Sequence, residues 1–308
     1  TGTAGLLEAT FPPGSITGAP KHEAMKVIAR HEPPRGAWCG SLFHVEDDGR
    51  LTASVLIRTA SFERVGGRWC FRTQAGAGIV YDSQPAMEWQ ETLNKAFSVV
   101  LNTEINLMGA GRTDTGVHAK EMYAHFDLDM PFDIPNLVHK LNSYLPKDIV
   151  IYAVFPVSDE AHTRFDATKR TYEYHIHTFK DAFETDGSWL HQLPLDIAKM
   201  NEACQILFRH KDFECFSKTH SDVRTFNCVI FEAHWQQIGT KLVFTISADR
   251  FLRNMVRAIV GTMINIGLGK INLDDFEKII ESKDRGKAGF SVPAHGLYLT
   301  QIEYDYIP

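Results

Sequence analysis

Strand-like and helix-like segments alternate along residues 98–308 without the regular βαβ spacing of a parallel sheet. Apolar and β-branched runs predict strands over 105–108, 121–128, 149–155, 171–177, 229–235 and 241–247. Apolar residues at helical spacing predict helices over 134–145, 195–208, 250–266 and 273–282. Mixed or antiparallel sheets with helices on one face suit this pattern, so we expect an α+β fold here.

The residues before position 98 have a different character, rich in strands with one helix on each side. A helix is predicted after Ala19-Pro20, followed by strands over 54–61 and 68–73 joined by a hairpin at Gly66-Gly67. A further helix from Pro85 through Leu101 crosses the change in pattern, and no Pro, Gly or Ser-rich linker separates the two parts. The length of 308 residues suits two domains.

Composition narrows the setting of the protein. With 44% hydrophobic and 23% charged residues, the chain is expected to form a packed core. No apolar stretch approaches the roughly 18 residues of a membrane span, so no membrane partner is expected. Five cysteines without a C-x-x-C spacing predict neither disulfides nor zinc and favour a reducing, cytoplasmic location. The whole net charge of −6 falls on residues 98–308, so binding of nucleic acid would require basic residues gathered at one cleft.

The first part contains a set of groups suited to an anionic ligand. Glu88 and Glu91 lie three residues apart on the predicted helix and share one face, as oxygen ligands of Mg²⁺ would. Arg58 and Lys95 are suited to anionic oxygens, and the glycines of the 75–78 turn allow backbone approach to a ligand. The alternative is a surface helix with solvated charges beside a tight turn, which is favoured for any one motif alone.

Taken together, these motifs resemble the C-terminal end of chorismate-utilising enzymes, most closely the large subunits of aminodeoxychorismate synthase and anthranilate synthase. The resemblance covers about residues 9–96 and rests on the segments 11–21, 57–59, 74–80 and 88–95. It implies magnesium binding by Glu88 and Glu91 and a chorismate carboxylate site lined by Arg58 and Lys95. The larger N-terminal portion of that fold is not in this sequence. Residues 1–90 are therefore expected to be a truncated, partial α/β chorismate-binding fragment without chorismate chemistry.

The string Gly111-Arg-Thr-Asp-Thr-Gly-Val-His-Ala119 is the richest in the chain. An Asp between threonines and glycines is first of all a turn former. Asp-Thr-Gly also occurs in aspartic proteases, but these need two carboxylates sharing one proton. The chain has a single such string, and Arg112 beside it favours the ionised form of a carboxylate. Asp114 is better suited to act on an electrophilic sugar carbon, as in glycosyl transfer.

Two further segments support that choice. Arg164 to Tyr174 places Tyr172 and Tyr174 at period two beside basic residues, which suits bases stacking next to phosphates. Two core-facing tyrosines are an equally good interpretation of the same pattern. On the predicted helix after position 250, Arg257 stands among apolar residues, and a buried arginine needs a paired carboxylate. Asp114 is the obvious partner.

With these residues considered, the segment from about Glu91 to the end resembles the tRNA pseudouridine synthase A family. The shared motifs are in the same order over about 210 residues: 111–119, 164–168, 170–174, 255–261 and 296–299. The resemblance implies that Asp114 is the catalytic aspartate, paired with Arg257. It also implies that Arg112 holds the site open around a flipped nucleotide and that Tyr172 stacks on the target base. Arg164 and Arg170 belong to the basic residues expected at the tRNA.

The implied reaction is the isomerisation of uridine to pseudouridine in the tRNA anticodon stem-loop, without a cofactor, by a cytoplasmic homodimer. The alternatives are a chorismate-utilising enzyme fragment, for which Mg²⁺ would be the metal, and an inactive fused remnant that binds tRNA. The N-terminal strand typical of the synthase family is missing before the string Glu91 to Ala96, which suits both families. Residues 91–308 are thus expected to be an N-terminally truncated synthase domain, joined to residues 1–90 by fusion or by a sequence assembly error.

Overall fold

The computed structural model describes most of the chain from residue 85 onward and shorter segments before it. The described residues are Pro12, Thr17, 21–31, Cys39, 41–46, 51–55, 60–65, 68–73, 85–111, Asp114, 116–218 and 223–307. They fall into two compact units that interleave along the chain. The first takes in residues up to Ser83 with Glu91–Ile105 and Leu128–Phe155, and the second Gln84–Gln90, Asn106–Asp127 and Pro156–Pro308. The boundary predicted between residues 90 and 91 separates the two family resemblances and not these compact units, and it stays a prediction.

Among its described residues, the first unit contains two β-hairpins and three helices. Helix α1 (Lys21–His31) precedes the antiparallel pairs β1 (Ser41–Val45) with β2 (Leu51–Val55) and β3 (Ala60–Val65) with β4 (Arg68–Thr73). Helix α2 (Pro85–Leu101) enters this unit at Glu91, and α3 (Ile134–Tyr144) follows later in the chain. The hairpin predicted at Gly66-Gly67 is confirmed, because Val65 pairs with Arg68. The strand predicted over 54–61 is described only at its two ends, which belong to β2 and β3 and pair with different partners. Its middle, residues 56–59, lies outside the described residues.

The strand predicted over 149–155 does not form. Its central residue, Ile151, instead exchanges two hydrogen bonds with the side-chain amide of Asn142 in α3, at 2.7 and 2.8 Å. Both backbone polar groups of Ile151 are thereby satisfied without a neighbouring strand. Val150 and Tyr152 remain exposed. A β-like residue pattern therefore gave the wrong prediction where a side-chain amide took the place of a strand partner.

The second unit is built on a six-stranded mixed sheet. Its main path is β10 (Ile230–Ile238), β11 (Lys241–Ala248), β8 (Lys169–His177), β12 (Leu297–Glu303) and β6 (His118–Ala119), with β9 (Trp189–Leu190) beside β8. The three longest strands and β12 pair antiparallel, whereas β6 runs parallel to β12 and β9 parallel to β8. The α+β class with mixed and antiparallel sheets is confirmed.

A separate short pair joins β5 (Met108–Gly109) to β7 (Ala124–His125). The predicted strands over 105–108 and 121–128 are thus much shorter than expected. Side chains again account for the difference: Ser98 accepts from the Ile105 N–H at 2.8 Å, and Thr163 donates to the Met108 carbonyl at 2.9 Å.

Three helices pack against one another in the second unit: α4 (Ile197–Leu207), α5 (Met255–Gly267) and α6 (Leu273–Ser282). Their buried side chains join those of the sheet in one core, in which Trp235 of β10 stacks on Phe244 of β11. The prediction for α6 is confirmed to the residue, and its start is set by a capping box between Asn272 and Asp275. Helix α5 begins at Met255 rather than 250, because Asn254 has a left-handed φ of 69°.

Candidate active site

Asp114 lies in the segment that leads from β5 into β6, at the edge of the large sheet. The Val117 N–H donates to the Asp114 carbonyl at 3.1 Å, and Gly116 has a φ of +80°. That φ suits glycine. Beyond this turn, His118 pairs with Tyr298 of β12. The turn-forming interpretation is therefore correct for the backbone, while the Asp114 carboxylate itself faces two arginines.

Each carboxylate oxygen of Asp114 has its own cation. Arg257 Nη1 donates to Oδ2 at 3.1 Å, so the pairing expected from the sequence is confirmed. Arg253 Nε lies 3.6 Å from Oδ1, within ion-pair distance but beyond a hydrogen bond of ordinary length. Asp114 therefore faces two arginines, of which Arg257 is the better buried.

Arg257 is oriented by residues 289–292, a segment that crosses α5. Its Nε donates to the Val292 carbonyl at 2.7 Å. That segment can pass so close only because glycines face each other: a Cβ on Gly261 would lie 1.8 Å from the Phe290 carbonyl oxygen, and one on Gly289 would lie 2.6 Å from Gly261. The close backbone contact sets the position of the Val292 carbonyl, and this in turn directs the Arg257 guanidinium at Asp114.

Polar side chains pin the same segment to the start of α5. Ser291 Oγ accepts from Asn254 Nδ2 at 2.7 Å and from Arg285 Nη2 at 2.9 Å. The left-handed conformation of Asn254 places its amide toward this segment just before the helix begins. These contacts fix the backbone on both sides of Arg257. The sequence pattern had marked Asn254 as a polar position of the predicted helix, but it did not single out Ser291 or Arg285.

Tyr172 occupies β8 opposite Ile246 and Leu299. Its ring meets Phe251 edge to face, with ring centroids 5.1 Å apart. Burial raises the pKa of Tyr172 to about 12, with a further contribution from the nearby negative charge of Asp114. The phenol is therefore neutral near pH 7.

Tyr174, two residues further on, is a core residue. It is fully buried, and its hydroxyl donates to the Pro293 carbonyl at 2.8 Å. The core-facing interpretation of the period-two pattern is thus correct for Tyr174, while Tyr172 is only partly buried.

Arg170 and Arg164 differ in what their guanidinium groups do. Arg170 donates to four backbone carbonyls, those of Ala110, Arg164, Ala167 and Asp249, at 2.8–3.4 Å. It therefore ties the segment entering the Asp114 turn to the 164–167 loop. Arg164 is exposed, with its guanidinium 5.7 Å from the centre of the Phe165 ring, which is itself 74% exposed. Of the two, Arg164 has the accessible cation.

The remaining predicted site residues belong to the first part of the chain or lie outside the residues that the structure describes. Arg58, Arg112 and the side chain of Glu88 lie outside the described residues. On α2, Lys95 Nζ lies 2.5 Å from Glu91 Oε1, and each of the two side chains is a little less than half exposed. Within the described ranges, no group of three His, Cys, Asp or Glu side chains is arranged to hold a metal ion. The Mg²⁺ site at Glu88 and Glu91 stays a prediction.

Two neighbours of the site were missed by the sequence analysis. Arg253 and Phe251 stand in the turn before α5, where Arg253 approaches Asp114 and Phe251 packs on Tyr172. Their adjacency to Asn254 and Arg257 was visible in the sequence, but a helix assumed to start at 250 gave no reason to select them.

In the described part of the chain, no helix has the length and apolar character needed to span a membrane.

Comparison with known proteins gives a separate match for each part of the chain. The profile of a family described as chorismate binding enzyme matches residues 1–100, and that of a family described as tRNA pseudouridine synthase matches residues 203–305. The chain is 52% identical to tRNA pseudouridine synthase A of Parabacteroides distasonis over 221 residues, covering 71% of this chain and 87% of the relative.

Other relatives agree with this match. For tRNA pseudouridine synthase A of Porphyromonas gingivalis the identity is 49% over 229 residues, covering 73% of this chain and 91% of the relative. For that of Bacillus subtilis it is 35% over 230 residues, covering 73% and 93%. Since identity of this size extends over nearly the whole relative, the chain belongs to the tRNA pseudouridine synthase A family.

Proposed function

We propose that this protein isomerises uridine to pseudouridine in the anticodon stem-loop of tRNA, with Asp114 as the catalytic carboxylate. The observation that carries the proposal is the pairing of Asp114 with Arg257 across 143 residues of sequence, inside a chain that belongs to this family. An ionised carboxylate held by a fixed arginine is the group that chemistry at a ribose carbon requires.

The reaction keeps the composition of the nucleotide and therefore needs no oxidant, reductant or cofactor. The N1–C1′ bond breaks, the uracil turns and C5 bonds to C1′. The hydrogen on C5 then leaves as a proton, and N1, no longer bonded to C1′, takes up a proton. Asp114 either adds to C1′ or removes the 2′ proton, and both courses start from the carboxylate. The target base must leave the helical stack to reach Asp114.

The other predicted residues have distinct places in this proposal. The Tyr172 ring, which is neutral near pH 7, supports the extruded base by stacking. Arg112 keeps the site open around the flipped nucleotide. Arg164, with its accessible guanidinium, meets the RNA backbone, whereas Arg170 acts on the tRNA through the loop that it ties in place. A homodimer in the cytoplasm belongs to the same proposal, and light scattering of the purified protein tests the dimer.

Tritium release tests the activity. With tRNA labelled at C5 of uridine, the wild-type protein is expected to release tritium to water, because the C5–C1′ bond forms at that carbon. Asp114→Asn keeps the shape of the side chain but removes the charge, and should release none. No release by a folded wild-type protein that still binds tRNA would contradict the proposal and favour the inactive remnant.

The first part of the chain is proposed to be a fragment of a chorismate-binding enzyme, residues 1–90, joined to the synthase domain of residues 91–308. The family match over residues 1–100 supports this division. Mg²⁺ held by Glu88 and Glu91, with chorismate at Arg58 and Lys95, would be the residual property of such a fragment. Calorimetric titration of the full chain with Mg²⁺ and chorismate, against Glu88→Gln, tests it; equal heats from both proteins would contradict it.

A further inference from the structure

The two arginines at Asp114 differ in how firmly they are held. Arg257 is 19% exposed and is anchored by its second hydrogen bond, to the Val292 carbonyl. Arg253 is 53% exposed, and its guanidinium donates no hydrogen bond of ordinary length to any residue that the structure describes. One cation is thus part of the packed site, and the other is a half-exposed side chain beside it.

The backbone of Arg253 is nevertheless fixed. Its carbonyl accepts from the Lys218 N–H at 3.0 Å, and the Met255 N–H closes the turn by donating to Leu252 at 3.1 Å. The guanidinium of such an arginine can exchange one ion-pair partner for another at little cost in free energy, because only the side-chain rotamers must change while the backbone stays in place.

The substrate creates a reason for such a change. Oδ2 of Asp114 is engaged by the buried Arg257, so Oδ1 is the oxygen available to the ribose. Oδ1 is also the oxygen beside Arg253. A nucleotide whose ribose approaches Oδ1 brings its own phosphates close to Arg253. A planar guanidinium can form two hydrogen bonds with phosphate oxygens. Such a contact is stronger than the present ion pair between Arg253 and Asp114, which has no hydrogen bond of ordinary length.

We propose that Arg253 is an exchangeable counter-ion, which leaves Oδ1 of Asp114 for a backbone phosphate of the target nucleotide when RNA binds. The inference rests on the proposed function and adds a residue to it. RNA binding then uncovers the reacting oxygen, whereas the empty site keeps the carboxylate neutralised. Arg253 is a binding residue in this scheme, and Arg257 remains the fixed partner.

The experiment uses the full chain with Arg253→Gln, Arg253→Lys and a matched control, Arg209→Gln. Arg209 is likewise exposed, and its side chain lies 3.9 Å from Glu277, away from Asp114. The Kd for tRNA is measured over a range of salt concentrations, together with single-turnover tritium release at saturating tRNA. Melting curves establish that each variant is folded.

Arg253→Gln is expected to weaken tRNA binding by about tenfold and to reduce the slope of log Kd against log salt by about 1, the effect of one lost phosphate contact. Its rate at saturation should stay within about threefold of wild type, because Arg257 still holds Asp114. Arg253→Lys keeps the charge and should restore the slope but only part of the affinity. Arg209→Gln should leave the slope unchanged.

Three results would overturn the inference. The first is an unchanged Kd and salt slope in Arg253→Gln, and the second is an equal change in Arg209→Gln. The third is a rate loss above about tenfold at saturation with unchanged binding, which would make Arg253 a permanent partner of Asp114. If the wild type releases no tritium, the proposed function fails, while the binding measurements still decide the role of Arg253.

Discussion

Replacing Gly261 by alanine tests whether the close contact between α5 and the 289–292 segment controls the site. Alanine is the better helix former by about 0.8–1 kcal/mol, so an isolated helix would gain stability. In this protein the added Cβ would lie 1.8 Å from the Phe290 carbonyl oxygen. Since backbone cannot rotate away as a side chain does, the segment must retreat by more than 1 Å in Gly261→Ala.

The retreat has a cost in stability and in activity. Overpacking of a core costs about 1–3 kcal/mol, and the hydrogen bond from the Gly289 N–H to Thr262 Oγ1, 2.8 Å in length, is strained or lost. We expect the free energy of unfolding to fall by about 2–4 kcal/mol. The Val292 carbonyl moves with the segment and no longer directs Arg257, so kcat/KM should fall about 10- to 100-fold.

Urea unfolding and tritium release measure the two effects. The matched control is Gly286→Ala, at an exposed glycine where the new Cβ meets only the carboxylate end of Asp284, at 3.1 Å. This control should change the free energy of unfolding by less than about 1 kcal/mol and leave activity unchanged. A Gly261→Ala protein as stable as wild type would refute the packing argument. A destabilised but fully active one would refute the link from Gly261 to Arg257.

Three further predictions concern the site itself. Arg257→Met should lower the free energy of unfolding by about 2 kcal/mol, because Asp114 and the Val292 carbonyl lose a charged donor; in a double-mutant cycle with Asp114→Asn, effects that add within about 0.5 kcal/mol would contradict direct coupling. Because burial raises the pKa of Tyr172 to about 12, the folded protein keeps that proton where the unfolded chain, with a pKa near 10, releases it. Stability should therefore fall as pH rises above about 10, and urea midpoints compared at about pH 9 and about pH 11 should fall less in Tyr172→Phe than in wild type; equal losses would contradict the buried phenol. Arg170→Met leaves four carbonyls without their donor, so the melting temperature and kcat should both drop, whereas a drop in tRNA affinity alone would identify Arg170 as a direct phosphate contact.

The large sheet and its helices were largely predictable because their signals are local. The limits of α6 follow from the apolar spacing and from the capping box of Asn272 and Asp275. The long strands β8, β10 and β11 also agree with the predicted ranges to within a few residues. In contrast, the strand expected over 149–155 required knowledge of a partner, and the Asn142 amide that replaces this partner lies in another element. Hydrogen bonding across elements cannot be inferred from the pattern of one segment.

The sequence by itself determined the candidate chemistry. Arg257 stands among apolar residues, and a poorly solvated arginine needs a counter-charge. The carboxylate of Asp114, in its glycine-flanked turn, was the candidate for that charge. Only the tertiary structure decided which neighbours complete the site. It showed that Tyr174 belongs to the core, that the guanidinium of Arg170 donates to backbone carbonyls, and that Arg253 lies at ion-pair distance from Asp114. These outcomes depend on the paths of distant segments past one another, which packing of the whole unit sets and no local pattern contains.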